Sequence, residues 1–192
     1  MSLIATYGRR LRSRFDRALG LPDIQWLSQH GLRVGRNVYI GGGCHFDLGF
    51  LPLISIGDDA TISPGVRIIA HDASMRHPTG HALIARVHIG KRVYIGAGAI
   101  LLPGVSLGQD TIVGAGAVVR GDVPPGSLVV GNPAQVVGSV EEFANRHRQR
   151  QAGRPSYPLQ LFGGGPATMD EMTDSEIGCI LNELADGPAY VA

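Results

Sequence analysis

The sequence predicts an all-β solenoid, in which the chain winds as a regular coil of short strands. From residue 89 to residue 124 an aliphatic residue recurs at every sixth position, and a small or β-branched residue follows each one four places later. The aliphatic positions are Ile89, Ile95, Leu101, Leu107, Val113 and Val119, and the smaller ones are Val93, Ala99, Val105, Thr111, Ala117 and Val123. Six residues suit one side of a triangular coil, so about eighteen residues make one turn, and parallel strand pairing stacks successive turns about 4.8 Å apart.

The same pattern occurs earlier in two other phases, and the breaks between the phases predict loops. The earlier runs begin at Val34, Ile40 and Phe46, and at Ile56, Ile62 and Ile68. Phe46 and Ile56 are ten positions apart instead of six, and Ile68 and Ile89 are twenty-one apart, so each gap carries extra residues. A solenoid that keeps its period expels extra residues at a corner, so we expect the chemistry at these two breaks.

Composition limits the functional classes. The chain has 192 residues, 44% of them hydrophobic, 28 glycines and a net charge of +1, so charge gives no reason to expect nucleic acid as a partner. It has no run of eighteen apolar residues and no apolar core of a signal peptide near its N-terminus, and we expect a cytoplasmic protein. Cys44 and Cys179 lack the spacing of a metal site and are expected to be free thiols, and no metal is predicted.

Three regions are predicted. Residues 1–31 form an N-terminal helical cap, residues 32–138 form the β-helix with a loop insertion at 71–88, and residues 139–192 form a C-terminal helical tail with a Gly/Pro linker and a last helix from Thr173. Five arginines lie in the first helix, at positions 9, 10, 12, 14 and 17. We interpret them as a solvated helix face, with contact to a membrane surface as the alternative.

The larger break contains His71, His77 and His81 within eleven residues. A neutral histidine accepts a proton from a hydroxyl near pH 7 when a second group fixes its tautomer. His71 is the strongest candidate for such a base because it lies where the regular coil ends, whereas His77 and His81 lie deeper in the loop. Asp72 is a candidate either to orient His71 or to face an acceptor, since neighbouring residues of an extended chain point in opposite directions.

A family resemblance rests on several segments in order. They are Ala70-His71-Asp72, residues 89–99, Leu102-Pro103-Gly104-Val105, residues 113–119, residues 122–126 and Gly131-Asn132-Pro133-Ala134. Together they resemble the hexapeptide-repeat acyltransferases, and within them the maltose and galactoside O-acetyltransferases and the related bacterial polysaccharide acetyltransferases. The resemblance implies a left-handed parallel β-helix that assembles as a homotrimer and binds acetyl-CoA between neighbouring subunits.

The resemblance also implies roles for individual residues. His71 matches the catalytic base, the backbone N–H of Ala97 would hold the oxyanion, Ala115 would bond to the pantetheine arm, and the adenine would pack beside Asn132-Pro133. Arg120 stands where the sugar acetyltransferases carry Thr-Lys, and it is expected to supply a cation to a phosphate of CoA. In the smaller break, Asp47 is the best candidate for binding acceptor hydroxyls and His45 is the second. Small residues also suit any tight corner, so a purely structural role for Ala97 and Ala115 stays open.

The predicted function is therefore an acetyl-CoA-dependent O-acetyltransferase that acts on a sugar or a surface-polysaccharide precursor. N-acetylation of an amino sugar is the first alternative, because an amine acceptor needs a base as well. A non-catalytic hexapeptide-repeat scaffold is the second. A zinc-dependent hydratase on the same fold would need a closely spaced histidine pair in the later repeats, and residues 89–133 contain none.

Overall fold

The computed structural model describes residues 22–157 together with 184, 188, 190 and 191. The chain divides into two compact units, Met1–Glu141 and Glu142–Ala192. Most of the predicted N-terminal cap, the Gly/Pro linker beyond residue 157 and the start of the last helix at Thr173 lie outside the described residues.

Short strands dominate the described part of the first unit. They are β1 Arg33–Val34, β2 Tyr39–Ile40, β3 His45–Phe46, β4 Ile54–Ile56, β5 Thr61–Ile62, β6 Arg67–Ile68, β7 His71–Asp72, β8 Leu83–Ile84, β9 Val87–Ile89, β10 Tyr94–Ile95, β11 Ile100–Leu101, β12 Ser106–Leu107, β13 Ile112–Val113, β14 Val118–Val119, β15 Asp122–Val123, β16 Ser127–Gly131 and β17 Ala134–Ser139. The helices are α1 Ile24–Gln29, a 3-10 helix Leu48–Leu53 and α2 Arg76–Thr79.

Within residues 22–157, successive strands of the repeat pass in turn to three sheets. Face A has the strand order β1-β4-β9-β12-β15, face B has β17-β16-β13-β10-β5-β2, and face C has β14-β11-β6-β3. The pairing is parallel, as where Tyr94 of β10 lies between Thr61 and Ile112, and only the last pair of face B, β16 with β17, is antiparallel. The chain therefore winds as a three-sided coil, with coil 1 formed by β1–β3, coil 2 by β4–β6, coil 3 by β9–β11 and coil 4 by β12–β14.

The core consists of the side chains that set the six-residue period. The six aliphatic positions from Ile89 to Val119 are at most 1% exposed, and their smaller partners from Val93 to Val123 are at most 7% exposed. The polar member of this column, Thr111, is fully buried, and its hydroxyl donates to the backbone oxygen of Pro124 (3.2 Å). One inward side chain in each two-residue strand from β10 to β15 fills the prism, since alternate residues of a strand point to opposite faces.

The corners are tight enough to require glycine. A Cβ atom at Gly96 would lie 2.4 Å from the backbone nitrogen of Ala115 on the next coil. Gly98, two residues later in the same turn, has a φ of +67°, where a side chain is strained. Stacking of turn upon turn at one corner thus explains the small residues that the sequence places there.

Helix α1 packs at the first-coil end of the core. Its Leu27 is buried and belongs to the same cluster as Leu32 and Ile40. The carboxylate of Asp23 caps the helix by accepting the N–H of Trp26 (2.9 Å).

Both interruptions of the repeat leave the coil at the same corner, between face C and face A. The 3-10 helix Leu48–Leu53 joins β3 of face C to β4 of face A. One coil later, an arm joins β6 of face C to β9 of face A, and its antiparallel strands pair His71 with Ile84 and Asp72 with Leu83. The two breaks in the sequence are therefore neighbours in space.

The described part of the second unit contains most of helix α3, Val140–Gln151, and two paired strands, β18 Ser156–Tyr157 and β19 Tyr190–Val191. In α3 the rings of Phe143 and His147 meet edge to face, with their centroids 4.5 Å apart. Among the described residues, no helix is long and apolar enough to cross a membrane.

Candidate active site

A histidine and a buried carboxylate meet at the corner shared by the two interruptions. Nδ1 of His71 forms a short hydrogen bond to Oδ2 of Asp47. The same oxygen accepts the backbone N–H of Ala70 (3.1 Å). The Asp47 side chain is only 9% exposed, whereas that of His71 is 42% exposed. The carboxylate is therefore fixed inside the fold while the imidazole reaches the surface.

Backbone hydrogen bonds hold the segments that carry both residues. The N–H of Asp47 donates to the carbonyl of Ile68 on the next coil (3.1 Å), and the N–H of Phe50 donates to the carbonyl of Asp47 (2.9 Å). On the other side of the pair, the N–H of Ala85 donates to the carbonyl of Ala70 (2.9 Å). Asp47 is thus held by stacking on the next coil, and the residue before His71 is held by a hydrogen bond across the base of the arm.

An aromatic ring completes the support of His71. The rings of Phe50 and His71 are 4.9 Å apart between centroids and inclined by 31°. Phe50 lies in the 3-10 helix of the smaller interruption, at a kink where its φ is −132° and its ψ is 24°. The smaller interruption therefore supplies both the carboxylate and the ring that fix the imidazole of the larger one.

This arrangement determines which nitrogen of His71 can act as a base. An ionised carboxylate only accepts hydrogen bonds, so Nδ1 must carry the proton that it donates to Asp47. The lone pair of a neutral His71 then lies on Nε2, at the exposed end of the ring. Such a tautomer can remove a proton from a hydroxyl that approaches from the surface.

Asp72 is adjacent to His71 in the sequence, but its carboxylate is hydrogen-bonded to another residue. Its Oδ1 accepts the backbone N–H of Ser74 (2.8 Å), closing a turn at the start of the arm. That backbone hydrogen bond holds the pKa of Asp72 below its usual range. The carboxylate hydrogen-bonded to His71 is thus Asp47, twenty-four residues earlier.

A cavity of about 360 Å³ opens beside His71 and extends along the coils. Its polar lining is His71, Asp72 and Arg120, and its apolar lining is Ile69, Leu83, Leu102 and Pro103. Ile69, Leu102 and Arg120 follow the face C strands of coils 2, 3 and 4, so Arg120 lies two coils beyond His71, a rise of about 10 Å. The cavity therefore joins a candidate base to a guanidinium group along one corner.

Ala97, Ala115 and Asn132-Pro133 lie at the other corner of face C, where the chain turns from face B. Ala97 and Ala115 are exposed in the turns of coils 3 and 4, and the N–H of Gly116 donates to the carbonyl of Ala97 (2.9 Å). Asn132-Pro133 forms the turn between β16 and β17, with a cis peptide bond. Within residues 22–157 the N–H groups of Ala97 and Ala115 have no acceptor, so both are available to a ligand.

The remaining candidates from the sequence are separate from the His71 pair. His45 is exposed on face C and lines a different cavity, beside helix α1. His77 and His81 lie on the exposed arm, where Nδ1 of His81 contacts the carbonyl oxygen of Thr79 (2.7 Å). The structure therefore brings Asp47, His71, Asp72 and Arg120 to one corner and places His45 elsewhere.

Phe50 is the residue of this site that sequence reasoning missed. The sequence did contain a signal for the pair, because aligning the two early runs of the repeat sets Phe46 beside Ile68, as observed in the register of β3 and β6. That alignment places Asp47 next to Ile69 and thus close to His71. No comparable signal fixes the ring of Phe50, whose direction depends on the kink.

Comparison with known proteins agrees with this architecture. Residues 86–121 match the family model described as bacterial transferase hexapeptide (six repeats). Nodulation protein L of Rhizobium meliloti is 47% identical over 115 residues, which cover 54% of this chain and 61% of that protein. Protein CapG of Staphylococcus aureus is 40% identical over 121 residues, covering 57% of this chain and 70% of CapG.

Two solved structures are similar in fold. A hexapeptide-repeat acetyltransferase from Vibrio cholerae O1 biovar eltor, complexed with acetyl-coenzyme A, has a TM-score of 0.52 and 29% identity, with coverage of 57% of this chain and 60% of that one. A galactoside acetyltransferase in complex with coenzyme A has a TM-score of 0.53 and 26% identity, with coverage of 60% and 58%. From the repeat, the three parallel sheets and these similarities, we conclude that the chain belongs to the bacterial hexapeptide-repeat transferase family.

Proposed function

We propose that the protein is an acetyl-CoA-dependent O-acetyltransferase that acts on a sugar or a surface-polysaccharide precursor. The observation that carries this proposal is the Asp47–His71 pair at the mouth of a cavity, on a chain of a transferase family. The two similar structures have acetyl-coenzyme A or coenzyme A bound, which supports the choice of donor. The galactoside acetyltransferase among them supports a sugar hydroxyl as the acceptor.

In the proposed reaction His71 is the general base. Nε2 takes the proton of the acceptor hydroxyl while that oxygen attacks the carbonyl carbon of the acetyl thioester. When the carbon–sulfur bond breaks, the imidazolium returns the proton to the departing sulfur, so acetyl ester and free thiol leave and His71 is neutral again. General acid–base catalysis of this kind contributes about 10²- to 10⁴-fold in rate.

Asp47 acts through His71 in this proposal. Its carboxylate holds Nδ1–H and thereby keeps the basic lone pair on Nε2, and its negative charge stabilises the imidazolium that forms during attack. The sequence suggests Asp47 as a ligand of acceptor hydroxyls. We instead give it a positioning role, because its side chain is nearly buried and its Oδ2 is already used by His71 and Ala70.

The donor would occupy the cavity that runs from His71 to Arg120. With the thioester beside His71, the apolar lining of Ile69, Leu102 and Pro103 suits the pantetheine arm, and Arg120 suits a phosphate. The cavity extends over two coils, and its far end provides a cation where the donor becomes anionic.

The proposal also includes a second copy of the chain, which would contribute four residues to the donor site. They are Ala97, Ala115, Asn132 and Pro133. They stack along the corner of face C opposite to the one that carries His71. A groove between two copies would set the His71 corner of one against the Ala97 corner of the other, with the N–H of Ala97 directed at the oxyanion and that of Ala115 at the pantetheine. The homotrimer and the left-handed winding that the resemblance implies are part of the same proposal.

An assay with three readouts tests this function. We expect millimolar CoA to raise the melting temperature of the full chain, and acetyl-CoA with a panel of free sugars, sugar nucleotides and lipid-linked sugars to release thiol with at least one acceptor. Mild alkali distinguishes the product, since it removes an O-acetyl ester and leaves an N-acetyl amide. If CoA failed to stabilise the protein and no acceptor were acetylated, the enzyme would be refuted and a scaffold favoured. An alkali-stable product would favour the amino-sugar alternative.

A further inference from the structure

A second cavity, of about 230 Å³, lies between helix α1 and coil 1. Its apolar lining includes Trp26, Leu27, Phe46 and Leu48, and its polar lining includes Asp23 and His45. Small-molecule sites combine apolar walls with a few polar groups in this way, and drug-sized ligands occupy about 300 to 1,000 Å³. This cavity is smaller and suits a single ring.

Trp26 presents a fixed aromatic surface to this cavity. It is 41% exposed, an unusual position for a side chain of its size. One face of its ring is stacked on His30, with centroids 3.9 Å apart and planes inclined by 25°. The contact between Nδ1 of His30 and the carbonyl of Trp26 (2.8 Å) keeps the two rings together. Trp26 is thus supported from one side and available to a ligand from the other.

Two polar side chains stand beside this surface. Asp23 uses Oδ1 to accept the N–H of Trp26, and a carboxylate has further lone pairs for hydroxyl donors. His45 is exposed on β3 and provides a ring nitrogen at the other side of the cavity. This arrangement suits a pyranose ring. The C–H groups on the face of the sugar would pack on the aromatic ring, and the hydroxyls at its rim would meet the polar side chains.

Asp47 directly follows the strand that lines this cavity, and it is hydrogen-bonded to the candidate base. Its two neighbours in sequence, Phe46 and Leu48, line this cavity, while Asp47 itself holds His71. The cavity assigned to the donor runs the other way, from His71 on coil 2 towards Arg120 on coil 4. His71 therefore lines the cavity on the coil 4 side, and its partner Asp47 is next in sequence to residues of the cavity on the coil 1 side.

We propose that the cavity beside Trp26 is the acceptor subsite, and that it binds a pyranose ring of the acceptor against the free face of Trp26. This inference rests on the proposed acetyltransferase function and adds the substrate class and its place of binding. Asp23 and His45 would hydrogen-bond to hydroxyls at the rim of the ring.

Direct binding can be measured without the donor. Trp26 is the only tryptophan of the chain, so intrinsic tryptophan fluorescence reports on this cavity alone. We expect saturable changes when the full-length protein is titrated with at least one of methyl β-galactoside, methyl α-glucoside and N-acetylglucosamine, and none with sorbitol, which lacks the ring. No response to any of these sugars would refute the subsite while leaving acetyl transfer to be judged by its own assay.

Kinetics provide the second test, with the acceptor that the panel identifies. Replacing Trp26 with Leu should raise the acceptor KM about tenfold and change the acetyl-CoA KM by less than about twofold, and Trp26→Phe should lie between that variant and the wild type. Gln25→Leu, a change on the same helix outside the cavity, is the matched control. An unchanged acceptor KM in Trp26→Leu, or an equal rise in the acetyl-CoA KM, would overturn the proposal, and the Phe variant serves if the Leu variant does not fold.

Discussion

Nδ1 of His71 is hydrogen-bonded to the carboxylate of Asp47, which lies one coil earlier and is almost buried. The two residues belong to different interruptions of the repeat, yet both interruptions leave the coil at the same corner. The corner thus combines a buried carboxylate that accepts a hydrogen bond with an exposed imidazole whose Nε2 can accept a proton.

Removing the imidazole should remove the base. We expect His71→Ala to lower kcat by about 10²-fold or more while the increase in melting temperature with CoA is retained. His77→Ala and His81→Ala are the matched controls, since both histidines lie on the exposed arm. If His71→Ala kept wild-type turnover and one of the arm variants lost it, the base would have to be reassigned.

Removing the charge of Asp47 should disturb His71 without changing its surroundings. In Asp47→Asn an amide NH₂ can donate to Nδ1 and favour the tautomer whose lone pair faces inward, so we expect kcat to fall about 10²- to 10⁴-fold with little change in the acetyl-CoA KM. The control is Asp72→Asn, in which the His71 contact is intact. An acceptor KM that rises in Asp47→Asn while kcat is unchanged would instead support the role in acceptor binding.

The ring of Phe50 should matter through the orientation of His71. We expect Phe50→Leu to lower kcat by about twofold to tenfold, the rate equivalent of one aromatic contact, and Phe50→Tyr to keep most of the activity. The pH dependence of kcat serves as a second measurement, because a change in the contact with the imidazolium moves the acidic limb of the profile. A lower melting temperature with an unchanged kcat and pH profile would show that Phe50 contributes only to packing.

Arg120 should affect the donor and not the acceptor. We expect Arg120→Gln to raise the acetyl-CoA KM about tenfold to a hundredfold, because a hydrogen bond to a charged group contributes about 1.5 to 3 kcal/mol. Acetyl-pantetheine, which lacks the nucleotide phosphates, provides the matched control substrate, and its KM should be the same for both proteins. An equal rise in the KM for acetyl-pantetheine would place Arg120 next to the reacting groups instead.

The inward column should dominate stability. Leu101 is fully buried, and Leu101→Ala should lower the free energy of unfolding by about 2 to 5 kcal/mol in chemical denaturation. Leu83 is 56% exposed on the arm, and the same replacement there should cost less than about 0.5 kcal/mol. Equal losses at the two positions would contradict the assignment of the core.

The regular part of the fold could be predicted closely from the sequence. Ile89, Leu101 and Val113 are buried as the six-residue period predicts, because inward or outward direction in a strand is a local property of the chain. The same period located both interruptions, and His71 was selected because it stands where the second one starts. The bounds of the predicted N-terminal cap and of the last helix stay predictions, since those segments lie largely outside the described residues.

Alignment of the early repeats brings Asp47 near His71, but the sequence alone does not decide between Asp47 and Asp72 as the partner of His71. Asp72 is its neighbour, and Asp47 is twenty-four residues away, so local reasoning favours the nearer carboxylate. In the structure Asp72 turns to the N–H of Ser74, and stacking of coil 1 on coil 2 brings Asp47 to Nδ1. In stacked coils, the number of residues between two contacting positions depends on the length of each inserted segment. Only the assembled coil therefore decides which side chains meet.

By itself, the sequence determined the three-sided coil, its inward column and the places where the coil is interrupted, because each depends on a period of six residues that is written locally. The tertiary structure decided that both interruptions share one corner, that Asp47 and Phe50 hold His71, and that Ala97 and Ala115 lie at the opposite corner of face C. These relationships arise from the stacking of coils, in which residues distant in sequence come into contact only after every intervening turn has been formed.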